Sequence, residues 1–205
     1  MDGHEKRRNS KKEAIIQAAL DMFGQHGFDK VSLSEIADKA HVSRASIYNF
    51  FGAKEELRRA IVKGILDSSR EKAIELINDK GSFVDKISKY IQIRTWYYGK
   101  HSVKFFLEAV DSDTELKRVF DDFIAFQRQH LKAFIDEGKA CGVFSPSISN
   151  MAIEMYLDIF QSYYVQGMQD GELRDKFEKN PNLAQEMTRL FLDGLIQEYP
   201  SDTKG

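Results

Sequence analysis

Four hydrogen-bonding side chains, Arg44, Ser46, Tyr48 and Asn49, fall between Ser43 and Phe51, with the small Ala45 among them. A surface that faces a DNA groove needs small or hydrogen-bonding side chains, and an arginine fork can pair with a guanine edge. Ile47 and Phe51 are four residues apart and, with Val42, can anchor a short helix on one side while the polar set stays outside. Ser43 is a helix N-cap, so the amides behind it can point at a phosphate. This is the chemistry of recognising a nucleic acid without breaking bonds.

Other arrangements of reactive residues are weaker. Asp111 and Asp113 near Glu108 look like paired acids, but they sit at a helix boundary where capping explains them. The histidines at 4, 26, 41, 101 and 130 contain no i, i+4 pair, so neither a metal site nor any other cofactor is expected. Cys141 is the one cysteine, which excludes an internal disulfide, suits a reducing cytoplasm and has no neighbour that would activate it. No nucleophile stands beside a base, so an enzyme is not expected.

The elements that must position the polar set are helices. Hydrophobic residues are 42% and charged residues 30% of 205, with only 3 prolines, which fits a globular all-α chain and leaves too few turns for an all-β fold. No apolar run is long enough to span a membrane, and residues 1–8 carry charge without the apolar core of a secretory signal. Twelve of the 30 Lys and Arg residues but nine of the 32 Asp and Glu residues lie in residues 1–63, so a basic head precedes an acidic body within a net charge of −2.

Capping-box spacings at Ser10–Glu13, Ser32–Glu35 and Ser112–Glu115, with relatives at Ser82–Asp85 and Asn182–Gln185, each precede apolar residues at helical period. About nine helices are predicted: 11–25, 33–40, 43–51, 53–77, 83–98, one past Gly99 to 109, 114–140, 148–167 and 183–199, with a polar linker over 169–182. Gly27 and Gly52 end the first and third. The second and third form a helix-turn-helix.

Residues 11–63 closely resemble the DNA-binding domain of the TetR-type (TetR/AcrR) bacterial transcriptional regulators. The matching pieces are Phe23-Gly24-Gln25-His26-Gly27-Phe28, Val31-Ser32-Leu33-Ser34-Glu35-Ile36-Ala37, Val42 through Phe51, and Lys54-Glu55-Glu56-Leu57. His41 stands where the family usually has glycine, so a positive φ is expected there. Ala53 stands where a polar cap is usual, and Gly52 can serve instead.

The resemblance implies that Arg44 and Asn49 face base edges, with Ser34 able to reach one from the second helix. It implies that Ser46, Tyr48 and Lys54 hold phosphates and that Ala45 presses on a thymine methyl. Arg7, Arg8, Lys11 and Lys12 form a basic arm that either follows the backbone, enters the minor groove, or is a solvated terminus. Tyr48 is alternatively a core residue.

The family architecture implies a DNA-binding domain over 1–53 and an effector-binding and dimerisation domain over 54–205. In the body, the adjacent aromatics Trp96-Tyr97-Tyr98 and Phe105-Phe106 cannot all face one core, because neighbours on a helix diverge by about 100°. They are either core packing or walls of a pocket for a small hydrophobic or aromatic effector. The candidate lining is Trp96, Tyr97, Phe105, Phe123, Tyr156 and Phe160, with Glu108 available to a cationic group. Ile148, Met151, Met155, Ile159 and Tyr163, then Leu183, Met187, Leu190, Phe191 and Leu195, lie on helix faces that suit a homodimer's four-helix interface, or else close the monomer's own core.

The expected function is therefore a cytoplasmic, homodimeric repressor of double-stranded DNA that leaves an inverted-repeat operator when an effector binds. The alternatives are a helical protein-interaction module and, further off, an all-helical enzyme.

Overall fold

A computed structural model describes residues 3–100, 103–169 and 172–180, with 182, 183, 186, 187, 189, 190 and 193; the side chains of 94–100 and 160, among others, lie outside that description. The described residues form helices α1 (Gly3–His26), α2 (Leu33–Lys39), α3 (Arg44–Phe51), α4 (Lys54–Ile77), α5 (Phe83–Lys100), α6 (Val103–Asp111), α7 (Thr114–Ala140), α8 (Asn150–Gln169) and α9 (Glu172–Lys179), and they contain no strand. None of these helices is long and apolar enough to cross a membrane.

Local signals set most boundaries. Ser32 caps α2 in a complete capping box: its side chain takes the Glu35 amide, and the Glu35 carboxylate takes the Ser32 amide at 2.7 Å. The Ser82 hydroxyl likewise takes the Asp85 amide at 3.1 Å at the start of α5. Gly27 and Gly52 adopt φ of 84° and 78° behind α1 and α3.

Several expected boundaries are corrected. Helix α1 begins at Gly3, so Ser10 lies in its interior and its capping box does not form. Asp113, not Ser112, caps α7: its Oδ1 accepts from the Glu115 and Leu116 amides at 3.0 and 3.2 Å. Gly52 terminates α3, and it is the carbonyl of Ala53 that opens α4 by accepting from the Leu57 amide. The expected linker over 169–182 contains α9. Its Leu173 is buried against Gly167 of α8, where a Cβ would stand 2.2 Å from the leucine Cγ, so only glycine admits that approach. Described positions 183, 186, 187, 189, 190 and 193 are helical, within the stretch predicted as the last helix.

The chain divides into two compact units, residues 1–70 with 100–124, and residues 71–99 with 125–205. In the first unit α1 packs on α2 and on α6, and α2 packs on α3. Its buried side chains include Ile15, Ala19 and Phe23 of α1, Leu33 and Ile36 of α2, Ile47 of α3, and Leu57, Ile61 and Val62 of α4. In the second unit Phe83, Ile87 and Ile91 of α5 meet Phe134 and Ile135 of α7, Phe144, and Ile153 and Leu157 of α8.

Candidate nucleic-acid interface

The turn between α2 and α3 is closed by backbone bonds from Ala40 to the Ile36 carbonyl (2.9 Å), from His41 to Asp38 (3.2 Å) and from Val42 to Ala37 (3.0 Å). His41 completes it with φ 54°, the left-handed conformation expected at this position of the turn. Ser43 then caps α3 by accepting from the Ser46 amide at 3.2 Å, and the two serine hydroxyls lie 2.9 Å apart. Ser46 is thus engaged in the cap as well as placed near the surface.

A single side chain seats α3 fully. Ile47 is 1% exposed, whereas Val42 and Phe51, expected to share the anchoring, are half-buried. Truncating such a side chain costs ~2–5 kcal/mol, a large share of what holds a two-turn helix in place. Arg44, Ala45, Tyr48 and Asn49 are exposed on α3, and Ser34 is exposed on α2. Arg44 Nη2 donates to the Tyr48 hydroxyl at 3.0 Å, and the guanidinium lies 5.4 Å from the tyrosine ring centre. With 44% of its surface exposed, Tyr48 is not a core residue.

Lys54, carried over as a phosphate contact, is held inward. Its Nζ donates to the Phe28 carbonyl at 2.6 Å and lies 4.2 Å from the centre of the Phe28 ring. The Arg58 guanidinium lies 4.3 Å from the same ring. Two cations on one face of α4 therefore both approach the aromatic residue of the α1–α2 loop. Sequence reasoning missed Phe28 and Arg58. The i, i+4 spacing of Lys54 and Arg58 was a usable signal, but it names no aromatic partner.

Arg58 also donates to the Ser112 hydroxyl at 3.1 Å, and Arg59 Nε donates to Asp113 Oδ2 at 2.7 Å. Lys63 reaches Glu115 at 2.5 Å. Burial pushes the Asp113 carboxyl up, but its bonds from Arg59 and the Leu116 amide outweigh this and hold it below the usual carboxylate value. Lys63 lowers Glu115 likewise.

Of the expected effector lining, Phe105, Glu108, Phe123 and Tyr156 have described side chains. Phe105 of α6 is buried against Phe23, ring centres 5.4 Å apart. With exposed Glu108 it borders an open cleft of about 630 Å³ shared with Phe23, Phe28, Arg58 and Ser112. Phe123 is buried on α7, and Tyr156 is exposed on α8. The side chains of Trp96, Tyr97 and Phe160, and residues Phe191 and Leu195, lie outside the described residues.

On α8, Met151, Met155, Ile159 and Tyr163 recur every fourth residue and are all exposed, as is Leu190 at 72%. Leu183 and Met187 are half-buried. Among the described residues no three His, Cys, Asp or Glu side chains gather as metal ligands would.

Residues 15–61 match the family described as bacterial regulatory proteins, tetR family. The HTH-type transcriptional regulator RutR of Escherichia coli (strain K12) is 44% identical over 59 residues, 29% of this chain and 28% of RutR, so the likeness spans well under a third of that relative's length. Two solved structures share the fold along nearly the whole chain. The ketosteroid transcriptional regulator KstR2 of Mycobacterium tuberculosis has a TM-score of 0.70 at 15% identity, covering 93% of this chain and 97% of that one. The fatty acid degradation regulator FadR from Bacillus halodurans has a TM-score of 0.61 at 19% identity, covering 89% and 98%. The match to the tetR family of bacterial regulatory proteins lies directly upon the helix-turn-helix, within residues 15–61, and the solved structures share the fold along nearly the whole chain.

Proposed function

We propose that the protein is a homodimeric repressor that binds an inverted-repeat operator in double-stranded DNA and leaves it when a small hydrophobic or aromatic effector binds. The observation that carries the reading is the polar, exposed face of α3, with Arg44, Tyr48 and Asn49 opposite the buried Ile47. A two-turn helix capped by Ser43 and seated at one point is shaped to enter a major groove with its N-terminal residues at the bases.

Residues 1–53 form the reading head, and residues 54–205 hold the effector and pair the subunits. The exposed apolar row on α8 supports pairing, since a monomer rarely leaves such a row in water. The effector class is supported by the aromatic content of α5 to α7 and by the names of two proteins of the same fold, which refer to a ketosteroid and to fatty acid degradation. Release is a population shift: the effector favours a conformation in which the two heads no longer match the half-site spacing. Such a protein works in the cytoplasm.

Selection of bound duplexes from a random pool tests the reading. The expected product is an inverted repeat whose half-sites lie about one helical turn, or a multiple of it, apart. Recovery of no enriched sequence overturns it. For the effector, quenching or a shift of Trp96 emission by members of a steroid and acyl-chain panel is expected, since Trp96 is the one tryptophan.

A further inference from the structure

The basic residues ahead of the helix-turn-helix are part of a helix, and this changes what they can do. Helix α1 runs unbroken from Gly3 to His26. His4, Arg7, Arg8 and Lys11 recur at helical spacing and so share one face. That face and Ser46, Asn49 and Phe50 of α3 border a groove of about 480 Å³, and no carboxylate lines it. The Arg8 guanidinium lies over the Phe50 ring, 5.7 Å from its centre, which fastens the first turns of α1 beside the reading helix.

An extended basic arm can slip into a minor groove ~6 Å wide. A helix ~10 Å across with its side chains cannot. The major groove, which does admit a helix, is the place of α3, so α1 beside it lies along the outside of the duplex, where guanidinium and ammonium groups meet phosphate oxygens through charge-assisted bonds. Continuity with Ser46 and Asn49 makes the phosphates of the DNA already held by α3 the fitting partner for this face.

We propose that the first turns of α1 track the phosphate backbone beside each half-site, through Arg7, Arg8 and Lys11, and lengthen the footprint of each head without reading sequence. The inference rests on the DNA-binding function proposed above and adds the backbone contact to it.

The test uses the full chain and its selected operator, in duplexes with flanks of about ten base pairs or trimmed to the half-sites. Binding is titrated at several salt concentrations, and backbone protection is mapped by hydroxyl-radical cleavage. For the double variant Arg7→Gln, Lys11→Gln, the slope of log affinity against log salt should fall by about 0.9 per lost phosphate contact, close to two units per head. Flank protection should disappear, while the preferred operator sequence stays the same.

Asn9→Pro keeps every charge but restarts the helix at a position proline favours, which detaches residues 3–8. It should also lose flank protection. An unchanged slope and footprint in the charge variant overturns the proposal, as does an Asn9→Pro protein that protects the flanks like the parent, since a loose arm would then suffice. Failure of the parent chain to select any operator overturns the DNA-binding reading itself, and is told apart because it precedes every flank measurement.

Discussion

Arg44 and Tyr48 meet on the outer face of α3, the guanidinium donating to the phenol oxygen at 3.0 Å and leaning over the ring. They are one helical turn apart, so the contact restricts both side chains before any DNA arrives. Ordering a long side chain costs ~0.5–1.5 kcal/mol when it happens at an interface, and part of that cost is already met here. Arg44→Ala should weaken operator binding and relax preference at one base pair per half-site, by ~1–3 kcal/mol. Tyr48→Phe keeps the ring but removes the bond, so affinity should fall several-fold with the preference retained. Competition titrations against singly altered operators distinguish the two. Intact preference in the Arg44→Ala protein would move the reading role to Asn49 or Ser34.

Lys54 faces two demands. It holds the Phe28 carbonyl at 2.6 Å, and its proposed role in DNA binding is to meet a phosphate. Lys54→Ala should weaken binding to all DNA sequences alike and lower the salt slope by about one unit per half-site. Phe28→Leu leaves every charge in place but removes the ring that Lys54 and Arg58 both approach. Its signature should be a loss of stability of ~1–2 kcal/mol and weaker binding with an unchanged salt slope. Urea unfolding and anisotropy titrations read the two effects apart.

Asp113 joins the start of α7 to α4, through its cap bonds and through Arg59. Its carboxyl, like that of Glu115, is held below its ordinary value in the folded chain. A depressed folded value means the contribution is complete above the unfolded values, about 4 to 4.5. It is lost as pH falls through the lower folded values. Asp113→Asn should therefore cost roughly 2 kcal/mol at pH 7, and the gap from the parent should narrow as the pH falls below 4. A gap that stayed constant down to pH 2 would show that the charge contributes nothing.

The α8 row offers the dimerisation test. Ile159→Glu, combined with Met155→Glu, places two carboxylates on an exposed apolar face and should yield monomers of retained helicity by light scattering. Leu190→Glu should act in the same direction from the helical positions around 183–193. Operator affinity should drop steeply, because two linked heads bind with an effective concentration that separate heads lack. A dimer mass in all of these proteins would place the interface elsewhere.

The helix-turn-helix was legible in the sequence because its determinants are local. The capping box at Ser32, the cap at Ser43, the left-handed turn at His41 and the Ile47 anchor all act within a few residues, where spacing states geometry directly. Where local signals failed, distant partners had overridden them. Ser10 has a good capping sequence, yet the helix runs on to Gly3 with Arg8 over Phe50, some forty residues away in the chain. The polar stretch after Gln169 became α9 because Leu173 found the space left by Gly167.

The family resemblance of Lys54-Glu55-Glu56-Leu57 is what implied a phosphate role for Lys54. That it grips Phe28, 26 residues earlier, and that Arg59 grips Asp113, 54 residues later, was decided only by the path of the chain. Periodicity specifies which face of a helix is apolar. It does not specify which other helix that face, or a cation beside it, will meet, because that depends on packing every element at once.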